Sequence, residues 1–290
     1  MGSKVFLNGK LIDRHKASIS VFDHGVLYGD GVFEGIRSYS RKIFRFDEHV
    51  DRLFKSAEDI RIKIPCTKER MKEDIIRTLT ENGLDDAYIR AVVTRGVGDL
   101  GLDPRKCSEP SIFIITDKIS LYPDEFYEKG LKIIIADIRR NHPQSLNPRI
   151  KSLNYLNNIM GKINAIDAGV EEALMLSVEG HVTECTGDNI FIVKNGKLLT
   201  PFYELGTLEG ITQKAVIELA EKRGIGTEFK KMLPEEIFNA DECFLTGTAA
   251  EIIPVTSVGE YIVGDGMPGD ITVKLLGDFR TLTREEGTGY

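Results

Sequence analysis

One lysine stands in unusual company. In "NPRIKSLNYLNNIMGKINAI", residues 147–166, Lys151 follows Asn147 and Pro148, has a tyrosine four residues on, and is surrounded by asparagines. Asparagine side chains compete for backbone hydrogen bonds, so an exposed helix is not built this way. An irregular, apolar and amide-rich setting suits a fixed, partly desolvated amine that does chemistry. A second segment, "GHVTECTGDNIFIV", places Glu184 between Thr183 and Cys185, just after a strand, among hydroxyls and Asn189. There the carboxylate can be held ionised. A surface glutamate at a turn is the plainer explanation of that residue taken alone.

A third segment, "GTLEGITQKAVIELA", puts Gly206, Thr207 and Gly210 ahead of a helix beginning near Ile211. Free backbone amides at such an end, with the Thr212 hydroxyl, suit a phosphate. A plain capped helix accounts for this stretch at least as well. "FLTGTAAEI", 244–252, is a second glycine turn at a strand end, or else a loop packed tightly on a neighbour. Together, a lysine nucleophile, a buried acid and a helix-end phosphate site are what a pyridoxal phosphate enzyme needs. Lysine forms an imine with the aldehyde, a carboxylate keeps the pyridine nitrogen protonated, and amides and hydroxyls fix the phosphate.

Other chemistries have less support. Residues 96–101, "GVGDLG", match G-x-G-x-x-G after a strand. The dinucleotide fingerprint also needs a helix directly afterwards, and "LDPRKCSEP" follows instead. Cys66, Cys107, Cys185 and Cys243 have neither metal-ligand nor redox spacing, and the five histidines are scattered. No metal site is expected, and the thiols fit a reducing cytoplasm. With 41% hydrophobic and 29% charged residues, the composition is that of a soluble globular chain. A net charge of −7 with signs interspersed argues against nucleic-acid and anionic-membrane partners. No apolar run approaches membrane-spanning length, and "MGSKVFLNGK" has no signal-peptide pattern.

The elements that must position these groups can be read along 290 residues, a length comfortable for two domains. "KVFLNGKLI" reads as an Asn-Gly hairpin and "GVFEGIRSYSRKIFRF" as strand. "DEHVDRLFKSAEDIRI" is an amphipathic helix with Asp47 as N-cap and Val50, Leu53, Phe54, Ala57 and Ile60 on one face. A second helix runs from about Thr67 to Asn82 and ends at Gly83. "AYIRAVVT" and "SIFIIT" are strands. A polar connector at 118–130 separates a smaller N-terminal part, 1–117, from a larger C-terminal part, 131–290. The second part reads as strand, the Lys151 segment, helix 158–168, and strands "EALMLS" and "NIFIVKNGKLLT". Helix 211–223 and strand "TEFKKM" come next, then a short helix at "PEEIFNA" and strand "ECFLT". A loop and a helix from Asp270 complete it. Strands and helices mix without strict alternation, which argues for an α+β fold and not a doubly wound sheet.

The order and local sequences resemble the fold-type IV, class IV aminotransferases, with branched-chain amino acid aminotransferases as the best match within them. The resemblance covers nearly the whole chain. It rests on "HGVLYGDGVFEGIRSY", "HVDRLFKSA", "YIRAVVTRGVGDLGLDP", "KSLNYLNNIMGK", "VTECTGDNIFIV", "LEGITQKAV" and "LTGTAAEIIPV". It implies that Lys151 is the Schiff-base lysine, that Glu184 pairs with the pyridine nitrogen, and that Tyr155 hydrogen-bonds the cofactor's phenolic oxygen. Arg52, Ile211, Thr212 and Thr248 would bind phosphate, and Leu208 would pack on the ring. Phe33, Gly35, Tyr155 and Ala249 would line the apolar side of a substrate pocket, with Tyr28 and Leu102 reaching in from a partner subunit. Tyr88, with turn amides at Thr248 and Ala249, would hold the α-carboxylate, and Arg90 would meet a glutamate side chain. Arg37 and Arg95 add charge near that pocket and bear on where a carboxylate sits. The linker "ISLYPDEFY" lacks the tryptophan-bearing segment of some relatives.

The implied activity is transamination of L-leucine, isoleucine and valine with 2-oxoglutarate by a cytoplasmic homodimer or higher oligomer. "FEGIR" and "YIR" favour it over a D-amino acid aminotransferase with (R)-amine side activity, which Arg95 keeps open. An aminodeoxychorismate lyase-like enzyme shares the scaffold. A non-catalytic or nucleotide-binding protein would leave the motifs as decoys.

Overall fold

The first Asn-Gly pair turns the chain where the pattern places it, between β1 (Lys4–Leu7) and β2 (Lys10–Asp13), which pair antiparallel. In this computed structural model, residues 3–118 and 122–290 are described. Met1, Gly2 and residues 119–121 of the expected connector lie outside them. The chain divides into two units: Met1–Ile119 with Ile150–Tyr155 and Thr283–Tyr290, and Ser120–Arg149 with Leu156–Leu282. The Lys151 segment and the last eight residues, given by sequence to the C-terminal part, therefore cluster with the first unit.

The first unit also contains β3 (Gly31–Tyr39), β4 (Lys42–Ile43), β5 (Ala87–Thr94) and β6 (Ser111–Asp117). With the strand Thr288–Gly289 they make a seven-stranded antiparallel sheet, in the order Thr288–Gly289, β4, β3, β5, β6, β1, β2. Helix α1 (His24–Tyr28) was not anticipated from the sequence. Helices α2 (Phe46–Asp59) and α3 (Lys68–Asn82) cover the sheet. Phe46, His49, Val50, Leu53 and Ala57 form the buried stripe of α2, while Phe54 and Ile60 only border the core. Each fully buried leucine or isoleucine contributes roughly 2 kcal/mol. Asp47 is not the cap of α2. The chain leaves β4 through a turn that puts Arg45 at that position with left-handed backbone, and Asp47 falls inside the first turn. Thr67 and Gly83 bound α3 as read.

The second unit is built on a nine-stranded mixed sheet. Its strands are β7 (Leu131–Ile135), β8 (Glu172–Leu176), β9 (Val182–Cys185), β10 (Asn189–Lys194), β11 (Lys197–Pro201), β12 (Thr227–Lys230), β13 (Glu242–Gly247), β14 (Glu251–Val258) and β15 (Tyr261–Ile262). The order is β12-β11-β10-β13-β14-β7-β8-β9, with β15 on β14. Pairs β11/β12, β14/β7 and β7/β8 are parallel and the rest antiparallel, so the fold is α+β. The helices are α4 (Asp124–Lys129), α5 (Leu156–Asp167), α6 (Ile211–Lys222), α7 (Pro234–Phe238) and α8 (Asp270–Glu285), the last running on into the first unit. Helix α4 falls inside the expected connector, α5 begins two residues before the expected 158, and β14 replaces an expected loop. The core packs Leu174, Val182, Ile190, Ile192, Leu245 and Ile253 from the central strands. No helix among the described residues is long and apolar enough to cross a membrane.

Candidate active site

Lys151 lies in a short extended segment tied to the start of β3. Its carbonyl accepts from Phe33 N–H at 3.0 Å, Leu153 N–H donates to the Gly31 carbonyl at 2.9 Å, and Ser152 bridges to Val32. Its own N–H donates to Ser56 Oγ on α2 at 3.2 Å. The backbone is therefore fixed from two sides. The side chain is not: Nζ sits 4.7 Å from the Phe33 ring centroid and 3.4 Å from the Tyr155 hydroxyl. Phe33 and Tyr155 meet edge to face with centroids 5.0 Å apart. A half-buried amine thus rests among rings with one long polar contact.

Period-two alternation puts Phe33, Gly35 and Arg37 on one face of β3, and pairing sets Arg90 opposite Gly35 and Tyr88 opposite Arg37. Glycine at 35 leaves room for the Tyr88 hydroxyl, which a Cβ there would overlap. Arg90 lies over Phe33 with its guanidinium carbon 4.5 Å from the ring centroid, and its Nη2 donates to Tyr88 Oη at 2.9 Å. This face combines an apolar wall with a cation held against it, Arg90. Arg37 stacks on Tyr39 at 4.6 Å. Arg95 is not a charge for this face. It grips Asp30 with Nε and Nη2 and also donates to the Ile60 and Arg61 carbonyls. Tyr28 and Leu102 are exposed, at 40% and 79%, and Tyr28 Oη donates to the Leu100 carbonyl at 2.5 Å.

The opposite face of β3 holds a group the sequence reading missed. Glu34, fully buried, accepts from Arg52 Nε at 2.6 Å and Nη2 at 3.0 Å, and shares a 2.8 Å bond with His49 Nδ1. Burial alone would raise its carboxyl, but Arg52 and then His49 outweigh it and bring the pKa to about 2. Burial also holds the His49 imidazole below its usual value against the pull of Glu34. Arg52, expected at phosphate, is thus oriented by a bidentate carboxylate. The signal was available: Val32, Glu34 and Ile36 share the core-facing side, where a lone acid breaks the pattern.

In the second unit Glu184 lies within β9, not after a strand as read, and is almost fully buried. Arg140, itself 5% exposed, donates Nε and Nη2 to Glu184 Oε1 at 3.0 and 2.7 Å. Oε2 accepts from Leu208 N–H at 2.9 Å and Asn189 Nδ2 at 3.3 Å. Sequence reasoning passed over Arg140, whose partner is 44 residues away. Burial pushes the thiol of Cys185, which packs into the core cluster, well above its ordinary range. Asn189 also donates to the Leu208 carbonyl. A Cβ at Gly210 would overlap Asn189 Oδ1, so the turn before α6 can approach β10 only with glycine there. Gly210 caps α6 without a side-chain bond, and Ile211 and Thr212 are buried in its first turn. Thr248 and Ala249 sit in the turn after β13.

The first unit therefore assembles Lys151, Tyr155, Phe33, Gly35, Arg37, Tyr88 and Arg90 on one side of β3, while Arg52 is held by Glu34 on the other. The second brings Glu184 to Leu208 and sets Ile211 and Thr212 at the start of α6. Pyridoxal phosphate fits the donors of the second unit. The hydroxyls of Thr207, beside Leu208, and Thr246, near Thr248, are buried with no hydrogen-bond partner, which is uncommon in a finished interior and suits sites that receive a polar ligand. A buried carboxylate backed by a guanidinium suits a pyridinium N–H, and the α6 amides suit a phosphate.

The model of the amino-transferase class IV family matches residues 31–258. A protein of Methanocaldococcus jannaschii named "Putative branched-chain-amino-acid aminotransferase" is 50% identical over 98% of this chain and 98% of its own length. The D-alanine aminotransferase of Bacillus licheniformis is 36% identical over 93% of each chain. Among solved structures, the branched-chain amino acid aminotransferase of Thermobaculum terrenum in its PLP-form matches with a TM-score of 0.90 and 31% identity, over 98% of this chain and 94% of that one. A family match that begins at β3 and ends in β14 takes in Lys151, Glu184 and the start of α6 alike, and the chain belongs to the class IV aminotransferases.

Proposed function

We propose that this chain binds pyridoxal 5′-phosphate and transfers the amino group of L-leucine, isoleucine or valine to 2-oxoglutarate, giving branched 2-oxo acids and L-glutamate. The observation that carries the substrate reading is the face of β3 and β5. One pocket must take an aliphatic side chain and then a carboxylate-bearing one. Phe33 gives apolar surface, Gly35 admits the Tyr88 hydroxyl beside it, and Arg90, over the Phe33 ring, supplies the charge.

When bound, the cofactor supplies an aldehyde that condenses with amines and a ring that accepts the electrons left when the α-proton departs. The protein's share is holding and proton transfer. Lys151 takes the α-proton as a neutral amine and delivers it again. Its few contacts leave Nζ free to swing, and Tyr155 orients it. Glu184 holds the proton of the ring nitrogen. Arg52, Ile211, Thr212 and Thr248 hold the phosphate, and Leu208 covers the ring. Tyr88 with the Thr248 and Ala249 amides takes the α-carboxylate. Arg90 takes the glutamate side chain, with Arg37 as a second cation on its face. Ala249 completes the apolar wall.

A cytoplasmic homodimer is part of this reading, with Tyr28 and Leu102 reaching the site of a second copy. Two exposed apolar surfaces support it: Val21, Phe22, Val26, Tyr28, Leu100 and Leu102 in the first unit, and the α5 stripe Leu156, Ile159, Met160, Ile163 and Ile166 in the second.

D-amino acid transamination is the second reading, favoured by the similarity to the D-alanine aminotransferase. Engagement of Arg95 by Asp30 weakens it, since that arginine was its sequence support. The deciding experiment follows the visible spectrum of the cofactor-loaded protein mixed with single L- and D-amino acids. Bleaching of the aldehyde form by L-leucine and L-glutamate but not D-alanine is expected. The reverse preference overturns the proposal.

A further inference from the structure

We propose that Asn158, on α5, is a positioning residue for Glu184, acting through Arg140. The proposal rests on reading Glu184 as the acid that faces the cofactor. Arg140 Nη1 donates to Asn158 Oδ1 at 3.0 Å and to Asn157 Oδ1 at 3.2 Å. Asn158 Nδ2 donates to the Thr186 carbonyl at 2.8 Å, so the amide can face only one way: its oxygen toward the cation and its nitrogen toward the carbonyl. Asn157 is pinned likewise, donating to the Arg139 carbonyl and accepting from Asn141 N–H. Backbone bonding of Arg140 N–H to the Leu176 carbonyl fixes the base of the side chain. Asn158 is 6% exposed.

The consequence is electrostatic as well as geometric. Among the described residues the guanidinium is ion-paired with Glu184, and its other edge meets neutral amides. Its full charge is directed at the acid. This accounts for two of the asparagines that follow Lys151 in sequence, which a helix on propensity alone would not carry. An aspartate at 158 has the same shape but places a second carboxylate on Arg140 and an acceptor against the Thr186 carbonyl. The proton affinity of Glu184 would then rise.

The test compares Asn158→Asp and Asn158→Ala with the parent protein in two measurements. In protein freed of cofactor, the side-chain carboxyl of Glu184 is titrated by carbon NMR and identified by the signal lost in Glu184→Gln. Asn158→Asp is expected to raise its midpoint by about 1 pH unit, and Asn158→Ala to move it less. A loss of melting temperature with the midpoint unmoved in both variants would reduce Asn158 to ordinary packing and overturn the proposal. If Asn158→Asp does not fold, Asn157→Asp adds the same charge at the same nitrogen from a more exposed position, and an unmoved midpoint there is equally fatal. In the cofactor-loaded protein, the pH midpoint of the visible band should shift in the same direction. A shift in the NMR titration without one in the visible band supports the inference about Asn158 and removes Glu184 from the cofactor.

Discussion

Lys151 and Glu184 are held in opposite ways. The amine has a fixed backbone and a side chain among rings, with a 3.4 Å polar contact to the Tyr155 hydroxyl. The carboxylate has both oxygens occupied, by a bidentate arginine on one and two further donors on the other, and that arginine is itself gripped by asparagines. In the proposed function Lys151 makes and loses bonds and carries a proton, work that calls for a firm base and a loose tip. Glu184, proposed to keep one charge in one place, calls for every atom to be tied. The division also predicts where mutation hurts: activity on the lysine side, stability as well as activity on the acid side.

The sharpest way to break this contrast is Lys151→Ala. The backbone bonds to Ser56 and Phe33 survive the change, and no buried partner is stranded. Turnover of L-leucine with 2-oxoglutarate is expected to fall by at least about 10⁴-fold, with a melting temperature close to the parent's. Borohydride reduction followed by peptide mapping should tag residue 151 in the parent and nothing in the variant. Retained turnover would end the assignment of this lysine.

Glu184→Ala is the mirror experiment. It leaves the Arg140 guanidinium buried without its counter-charge, a loss of about 3–5 kcal/mol in stability. Glu184→Gln keeps the shape and should destabilise less while still slowing proton removal severely. Denaturant unfolding of the cofactor-free proteins measures both. Equal stability losses for Lys151→Ala and Glu184→Ala would mean the two sites are not built differently after all.

The same contrast explains what could be read from sequence. Lys151 was conspicuous because its neighbours are wrong for an exposed helix, a local signal. The hairpins and the faces of α2 and α3 were equally local. Arg140 and Glu34 were not, since each acquires its meaning from a residue far along the chain, and only the broken alternation of Val32, Glu34 and Ile36 hinted at one of them. Strand β14 stands where a loop is expected, and it carries Pro254 in its middle although prolines are rare inside sheets. It is held all the same, by β13 on one side and β7 on the other. The cap of α2 went to Arg45 because the turn out of β4, not the cap side chain, sets where that helix begins.

The Glu34 cluster extends the comparison to pH, since it lies on the lysine side but is built like the acid side. Its carboxyl is held at about 2, against an ordinary 4.5. A carboxyl whose folded pKa is depressed stabilises the protein fully above its unfolded pKa, and the contribution drains away as pH falls from about 4.5 through 2. A drop of that size corresponds to roughly 3 kcal/mol. His49 acts in the same direction at higher pH. Burial lowers its folded pKa below 6.5, so the unfolded chain takes up a proton first and stability declines as pH drops below 6.5. Two acid-side losses are therefore expected, a shallow one beginning near 6.5 and a steeper one below 4.5. Glu34→Gln should lower the melting temperature at pH 7 and flatten the steeper limb. If the parent and Glu34→Gln lose stability in parallel between about pH 5 and 3, the Arg52–Glu34–His49 cluster is not what holds β3 to α2 in acid. The orientation of Arg52 would then need another source.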